Sequence, residues 1–258
     1  MEGSEVTTNL DMVKQVACML LEVPIQQIPG LPFVNHPIFT SSLYPIGEGM
    51  DKLVDITVDT EGLETVKEFV CQRINECESI TKIGAIIIDK KYRMAFLHMC
   101  SAHTSPADIG TYLNHLWRSV ENIMNDPNVS NHDIIKLFEW ADPNTLMNEA
   151  ERKALEALPD TITVYRGIRK PLLNNHKRFI NGFSWSTSFD VAYWFAKRFA
   201  HNQEEMGKVF KAEIQKKHIL AFFGVDSYER EVVINPSKLQ NITEIPVVYD
   251  RNKGIPSE

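Results

Sequence analysis

The residue pattern of this chain changes at Pro159, and that change most constrains its fold. After Pro159, short runs of β-branched and aromatic residues alternate with turn formers, and a single helical pattern interrupts them. Such runs predict strands. The predicted strands are residues 161–168, 182–188, 209–214, 218–223, 231–234 and 245–249, and the predicted helix is 190–200, capped by Asp190. Residues 159–258 are therefore predicted to form a β-rich core.

A helical segment is predicted before this core, over residues 106–158. Ser105 and Pro106 are typical of a helix start, because serine caps the first amides and proline tolerates the first helical position. Further helical patterns cover residues 133–140 and run from Asp142 to Leu158.

Residues 1–105 are predicted to form a mixed α/β lobe. Helical spacing covers residues 12–23 and 63–74, and five prolines and three glycines between residues 24 and 49 predict an irregular segment. Residues 84–89 and 93–99 are predicted to pair as a β-hairpin. The whole chain is thus α+β, with domains at 1–105 and 106–258. We expect the first of these to recognise the substrate.

Charge and hydropathy narrow the classes of partner. The formal net charge of −7 weighs against a nucleic-acid ligand and against an anionic membrane. Residues 12–23 are too short to span a bilayer, and no Sec signal pattern is present. We therefore expect a cytoplasmic protein, or one delivered into a host cytosol by a specialised secretion system.

The cysteines and histidines predict neither disulfides nor a metal site. Cys18, Cys71, Cys77 and Cys100 lack close pairing and are expected to be reduced, buried thiols. His98, His103 and His115 also lack the spacing of metal ligands. We expect no metal cofactor.

Three polar motifs occur in the β-rich part. The first, Tyr165-Arg166-Gly167, ends a predicted strand; its guanidinium suits a phosphate, although an arginine there can simply pair with a carboxylate. The glycine would let a ligand approach the backbone. The second motif, Ser186-Thr187-Ser188, ends the next strand and is either a pocket floor or an ordinary hydroxyl-rich turn.

The third motif is Glu229-Arg230-Glu231, at the start of the strand 231–234. Because side chains alternate along a strand, the two glutamates are predicted to share one face, roughly 7 Å apart, with Arg230 on the other. A charged strand end is the simpler interpretation of this motif taken alone. The order of the three motifs along the chain is more specific than any one of them.

Taken together, these motifs resemble the arginine-serine-glutamate class of mono-ADP-ribosyltransferases, which includes cholera-toxin-like and iota-like toxins and the vertebrate ecto-enzymes. The resemblance covers residues 161–236 and rests on Arg166, Ser186-Thr187-Ser188 and the E-x-E sequence Glu229-Arg230-Glu231. It implies a core of two packed β-sheets, NAD⁺ as co-substrate, and an enzyme that acts as a toxin, an effector or within its own cell.

The resemblance also implies roles for individual residues. Arg166 would hold the phosphates and the nicotinamide-side ribose, and Gly167 would bond the carboxamide. Ser186 would orient Glu231, which would stabilise the positive charge that develops on the sugar. The other residues placed in the NAD⁺ site are Thr187, Ser188 and Phe195, although the helical pattern of residues 190–200 fits Phe195 equally well as a residue of the helix core.

The residue two positions before the catalytic glutamate tracks the acceptor in this family. Glu229 thus implies an arginine on a target protein, and Tyr228 would contribute to the acceptor-facing turn. Asp226 stands where iota-like relatives have an aromatic residue, so the resemblance leaves the docking mode of the target open. Two alternatives remain open: water or a nucleic-acid base accepts the ADP-ribose, or the fold binds NAD⁺ without catalysis.

Overall fold

The computed structural model describes residues 6–47, 49, 51–119, 128–175, 179–224 and 229–254. Its packing divides the chain into two compact units, Met1–Leu146 and Met147–Glu258. The helical segment predicted for residues 106–158 is thereby shared between the units. Both helices and strands are present, so the α+β class is confirmed.

The first unit is mainly helical. Its helices are α1 (Leu10–Met19), α2 (Thr60–Asn75), α3 (Ile80–Ile86), α4 (Arg93–Cys100), α5 (Pro106–Ser119), α6 (Asn131–Trp140) and α7 (Pro143–Leu146). Its strands are β1 (Gln26–Gln27), β2 (Val34–Asn35), β3 (Leu43–Ile46) and β4 (Lys52–Asp55), paired as β1-β2 and β3-β4. Short 3₁₀ helices cover Leu20–Glu22, Lys90–Tyr92 and Ser101–His103.

The predicted start of α5 is confirmed, since Oγ of Ser105 accepts a hydrogen bond from the Asp108 amide at 3.1 Å. The segment predicted as irregular, residues 24–49, includes the short pair β1-β2 and the strand β3, which pairs with β4. Even Pro45 takes part in a pair, opposite Leu53 of β4.

The predicted hairpin over residues 84–99 is wrong, because the chain forms α3 and α4 there. Ile80 and Ile83 are both buried, which is the three-residue spacing of a helix face. Ser79 caps α3, its side chain accepting a hydrogen bond from the Lys82 amide at 3.2 Å. The apolar run after Gly84 taken alone fits a strand, whereas the cap and the spacing together favour the helix.

The expectation of reduced cysteines is wrong for one pair. Cys18 of α1 and Cys71 of α2 form a disulfide, with their Cα atoms 5.5 Å apart. The spacing rule failed because this bridge joins residues that are 53 positions apart in sequence. Cys77 and Cys100 are free and buried, as expected.

The second unit is a sheet with helices packed on it. Its helices are α8 (Glu149–Ala157) and α9 (Phe189–Lys197). Its strands are β5 (Thr161–Ile168), β6 (Ser184–Ser186), β7 (Lys208–Gln215), β8 (Ile219–Phe223), β9 (Glu231–Ile234) and β10 (Gln240–Ile245). Short 3₁₀ helices cover Lys170–Asn175, Lys216–His218 and Pro236–Lys238. The predicted bounds of β5 and β9 are confirmed.

Among the described residues, the strands of this unit form one sheet in the order β10-β7-β5-β6-β9-β8. The core of two packed sheets that the resemblance implied stays a prediction. β5 pairs with β7 along its whole length, whereas its register with β6 is the pair Tyr165–Ser186. This short junction joins two three-stranded halves into one sheet.

Helix α9 covers one face of β5. Ala192, Tyr193 and Ala196 of the helix form a buried cluster with Val209 of β7, and Tyr165 of β5 packs against that cluster. The helix cap is Ser188, whose Oγ accepts from the Val191 amide at 3.4 Å. The prediction that Asp190 caps the helix is therefore wrong.

The last predicted strand, residues 245–249, is also wrong. The strand β10 lies earlier and ends at Ile245, because Pro246 has no amide hydrogen to continue the pairing. The chain then runs over α9, where Oη of Tyr193 donates to the carbonyl of Val248 and accepts from the amide of Asp250, both at 2.9 Å.

Candidate functional site

The three sequence motifs lie on three adjacent strands of the sheet. The order β5-β6-β9 places them side by side, although β7 and β8 separate the second motif from the third along the chain. Tyr165 pairs with Ser186, and Ser186 pairs with Glu231. These three residues therefore form one row across the sheet, which aligns the start of the E-x-E strand with the end of the arginine strand.

Ser186 links the second motif to the third. Its hydroxyl donates to the carbonyl of Glu229 at 2.7 Å and accepts from the amide of Ser188 at 3.0 Å. The amide of Thr187 donates to the carbonyl of Arg230 at 3.1 Å. Ser186 is itself buried, with 6% of its surface exposed. It thus holds the backbone just before Glu231, and the role of orienting Glu231 that the resemblance implied stays a prediction.

The third motif is not a continuous strand, contrary to the prediction. Glu231 begins β9, but Glu229 lies in a turn and Arg230 has a φ of 40°. A positive φ interrupts the extended backbone, so the alternation of faces cannot be carried back to Glu229. Both glutamates are half-buried, and Arg230 is exposed. The two acids consequently have different backbone environments.

Arg166 is held inside the second unit. Its Nη1 donates to the carbonyl of Ser184, and its Nε is buried without a hydrogen-bond partner among the described residues. Burial lowers the pKa of the Arg166 guanidinium to about 10, and the charge of Glu231 offsets part of that shift. The guanidinium also fits closely against Gly182, where a Cβ atom would lie 2.8 Å from Cζ. Arg166 is therefore charged at neutral pH and anchored to the backbone before Ser186.

Gly167 meets a helix rather than open space. A Cβ atom at this position would collide with the carbonyl oxygen of Ala192 and lie 2.6 Å from the amide nitrogen of Ala196. Helix α9 therefore fills the space beside the Cα of Gly167, and the expected approach of a ligand to its backbone stays a prediction. Its absent side chain is needed for the close approach of helix and strand.

The remaining predicted site residues have mixed surroundings. Phe195 is half-buried in α9, and its ring meets that of Trp194 edge-on, with centroids 4.9 Å apart. The hydroxyl of Ser188 caps α9, which is a structural role. Tyr228 and Asp226 lie outside the described residues.

Two arginines near the end of α9 were not predicted as site residues. The guanidiniums of Arg169 and Arg198 lie 5.3 and 5.0 Å from the ring centroid of Phe199. Phe199 is 67% exposed and has a φ of 73°, which is rare for a bulky residue. The sequence signal was weak, because Arg169 follows Arg166 by three residues and Arg198 only ends a helical pattern.

A separate cavity of about 350 Å³ lies in the first unit. Phe33, Asn35, Asp89 and Tyr92 are among its lining residues, and none of the predicted site residues lines it. Within the described residues, no group of three or more His, Cys, Asp or Glu side chains is arranged to hold a metal ion. No helix in the described ranges is both long enough and apolar enough to cross a membrane.

Comparison with known proteins found no matching family model, no significantly similar curated protein and no significantly similar solved structure.

Proposed function

We propose that this chain is a mono-ADP-ribosyltransferase, which transfers ADP-ribose from NAD⁺ to an arginine side chain of a target protein and releases nicotinamide. The observation that supports this most is the row Tyr165–Ser186–Glu231 across β5, β6 and β9. It brings together three motifs that the sequence keeps far apart, in an arrangement that the structure supports with the Ser186 to Glu229 hydrogen bond.

The chemistry of NAD⁺ suits a row that ends in a carboxylate. Its nicotinamide is already cationic, so the bond between C1′ and the ring nitrogen breaks with the electron pair passing to nicotinamide, and no general acid is needed. The ribose then carries positive charge, which a carboxylate can stabilise. Glu231 takes this role, because β9 is held on both sides, by β6 and by β8.

In this proposal Glu229 orients the acceptor guanidinium and accepts its proton. A guanidinium is protonated in water and becomes a nucleophile only as it loses a proton, so a nearby carboxylate must orient it and accept that proton. Glu229 lies outside the strand, in the turn that precedes Glu231. Two acids in two backbone settings can therefore act on the sugar and on the acceptor separately.

The three arginines Arg166, Arg169 and Arg198 also have separate roles in this proposal. Arg166 is half-buried and bonded to the carbonyl of Ser184, so it supports the row and contributes positive charge. The diphosphate needs donors that it can reach. Arg198 and Arg169 are exposed, and together with Phe199 they offer guanidiniums beside an aromatic ring. We assign the phosphate contact to these two arginines as well as to Arg166.

Single glutamate variants test the division between the two acids. Nicotinamide release and transfer to agmatine, a small guanidine acceptor, are measured with labelled NAD⁺. Glu231→Gln should lower both activities by about a thousandfold, since the lost carboxylate acts on the sugar in both reactions. Glu229→Gln should lower transfer to a similar extent while release by water persists.

The matched control is Glu244→Gln, an exposed glutamate of β10 paired with Lys208, which should change neither activity. Equal losses in the Glu229 and Glu231 variants would contradict separate roles. Label found only in free ADP-ribose or only in RNA would replace protein arginine as the acceptor. If the wild-type protein neither binds NAD⁺ nor releases nicotinamide, the proposal that it is an enzyme is refuted.

A further inference from the structure

Glu151 is a buried acid whose two oxygens bond different parts of the second unit. Glu151 is 1% exposed, and no other acidic residue that the structure describes is buried. Oε2 accepts from the amide of Asn148 at 3.0 Å, and Oε1 accepts from the amide of Gly224 at 2.9 Å. One carboxylate thus joins the start of α8 to the end of β8.

Only half of this arrangement is explained by helix capping. Asn148 and Glu151 form a capping box, in which each side chain accepts from the other residue's amide. That motif uses one carboxylate oxygen and does not require burial. The second oxygen instead reaches Gly224, which is 73 positions away in sequence. The bond to Gly224 is therefore not part of the helix cap; it ties the carboxylate to the end of β8.

Gly224 is the point at which the chain leaves β8 on its way to Glu229. Its φ is 73°, in the region that glycine adopts most readily, so the backbone turns sharply there. At the other end of the same connection, the carbonyl of Glu229 accepts the hydroxyl of Ser186. The connection between β8 and β9 is thus held at its start by Glu151 and at its end by Ser186.

We propose that Glu151 is a positioning residue, which fixes the turn carrying Glu229 and thereby controls transfer to the arginine acceptor. This inference rests on the proposed function. Glu231 pairs with Ser186 of β6 as well as with Phe223 of β8, so β6 still holds it when the Glu151 bond to the neighbouring Gly224 is lost. Glu229 precedes β9 and shares the connection that begins at Gly224. Loss of the Glu151 contact should consequently affect arginine transfer more than NAD⁺ hydrolysis.

Glu151→Gln tests this inference with the smallest change in shape. The amides of Asn148 and Gly224 donate to different oxygens of Glu151, and a glutamine side chain has only one acceptor oxygen, so Glu151→Gln loses one of these two bonds. The ratio of agmatine transfer to hydrolysis is measured at fixed NAD⁺. We expect transfer to fall about tenfold or more while hydrolysis stays within about threefold of wild type. This ratio does not depend on the fraction of protein that is folded.

Two control variants separate positioning from general damage. Glu149→Gln makes the same chemical change on α8, at an exposed residue paired with Lys153, and should leave the ratio unchanged. Asn148→Ala removes the side-chain cap but keeps both amides that Glu151 accepts from, so it should lower stability without altering the ratio. If Glu151→Gln fails to fold, Gly224→Ala strains the same junction and should shift the ratio in the same direction.

An unchanged ratio in a folded Glu151→Gln protein, or equal loss of transfer and hydrolysis, would overturn the inference. If wild type releases no nicotinamide at all, the proposed function fails, and amide hydrogen exchange then decides the positioning role. Faster exchange of the Gly224 and Glu229 amides in Glu151→Gln than in Glu149→Gln supports that role. Equal exchange in the two variants excludes it.

Discussion

Histidine 36 shows how burial of one side chain makes stability depend on pH. The residue is 2% exposed, and its Nδ1 accepts from the amides of Ile38 and Phe39 at 3.0 and 3.1 Å. Burial lowers the pKa of His36 to about 4, while the carbonyl of Val23 opposes that shift and Lys67 adds to it. The folded protein therefore holds a neutral imidazole.

The sign of the pH effect follows from this lowered pKa. Between pH 6.5 and about 4 the unfolded chain binds the proton and the folded chain does not, so stability falls as the pH is lowered through that range. The lowered pKa can cost the protein at most roughly 3 kcal/mol of unfolding free energy at low pH. Solvent screening reduces the expected loss of unfolding free energy to roughly 1 to 2 kcal/mol.

His36→Asn should remove this loss, because the asparagine Oδ1 can replace Nδ1 as acceptor but does not titrate. Urea unfolding at pH 7 and pH 5 measures the difference for wild type and variant. His132→Asn, at an exposed position on α6, should keep the wild-type pH dependence. Identical pH dependence in wild type and His36→Asn would show that His36 is not the responsible group.

At the scale of elements, the site depends on how closely α9 approaches β5. Gly167→Ala places a methyl group against the backbone at Ala192 and Ala196, and helix backbone cannot rotate away as a side chain can. We expect a loss of about 2 to 3 kcal/mol of unfolding free energy from this overpacking. The same change at Gly254, where no atom lies within 4 Å of the new Cβ, should be close to neutral. Chemical denaturation of the two variants distinguishes these outcomes, and equal stability would contradict the packing.

Sequence patterns predicted the elements of the second unit better than those of the first. β5 and β9 were predicted correctly, because β-branched alternation and flanking turn formers agree there. The segment around Gly84 was predicted wrongly, since a short apolar run fits a strand and a buried helix equally well. The strand order was not predictable, because it depends on contacts between segments that are distant along the chain.

The same limit applies to the candidate site. The types of residue in the row were predicted, but the bond from Ser186 to the Glu229 backbone and the positive φ of Arg230 were not. Local patterns specify side chains, whereas the turn that separates Glu229 from β9 is set by pairing across the sheet. Glu151 was missed for a related reason, since a capping glutamate looks the same in sequence whether it is buried or exposed.

At the scale of the whole molecule, the Cys18–Cys71 disulfide constrains the unfolded chain more than any local contact. It closes a loop across 53 positions within the first unit. In the chain-entropy description, closing a loop of this length stabilises the folded state by about 4 kcal/mol. The two free thiols contribute no competing bridge of this kind: Cys100 is fully buried, and burial raises its pKa to about 12, so its reactive thiolate form is scarce.

Protein refolded under oxidising conditions should therefore unfold at a higher urea concentration than the same protein in reductant. We expect a difference of about 4 kcal/mol in unfolding free energy, because reduction restores conformational freedom to the unfolded chain. The double variant Cys18→Ser, Cys71→Ser should match the reduced protein and be insensitive to reductant. Thiol titration of the denatured, oxidised chain should detect Cys77 and Cys100 alone. Four reactive thiols, or an unfolding midpoint that reductant does not change, would contradict the disulfide, and with it the expectation that α1 and α2 are covalently joined.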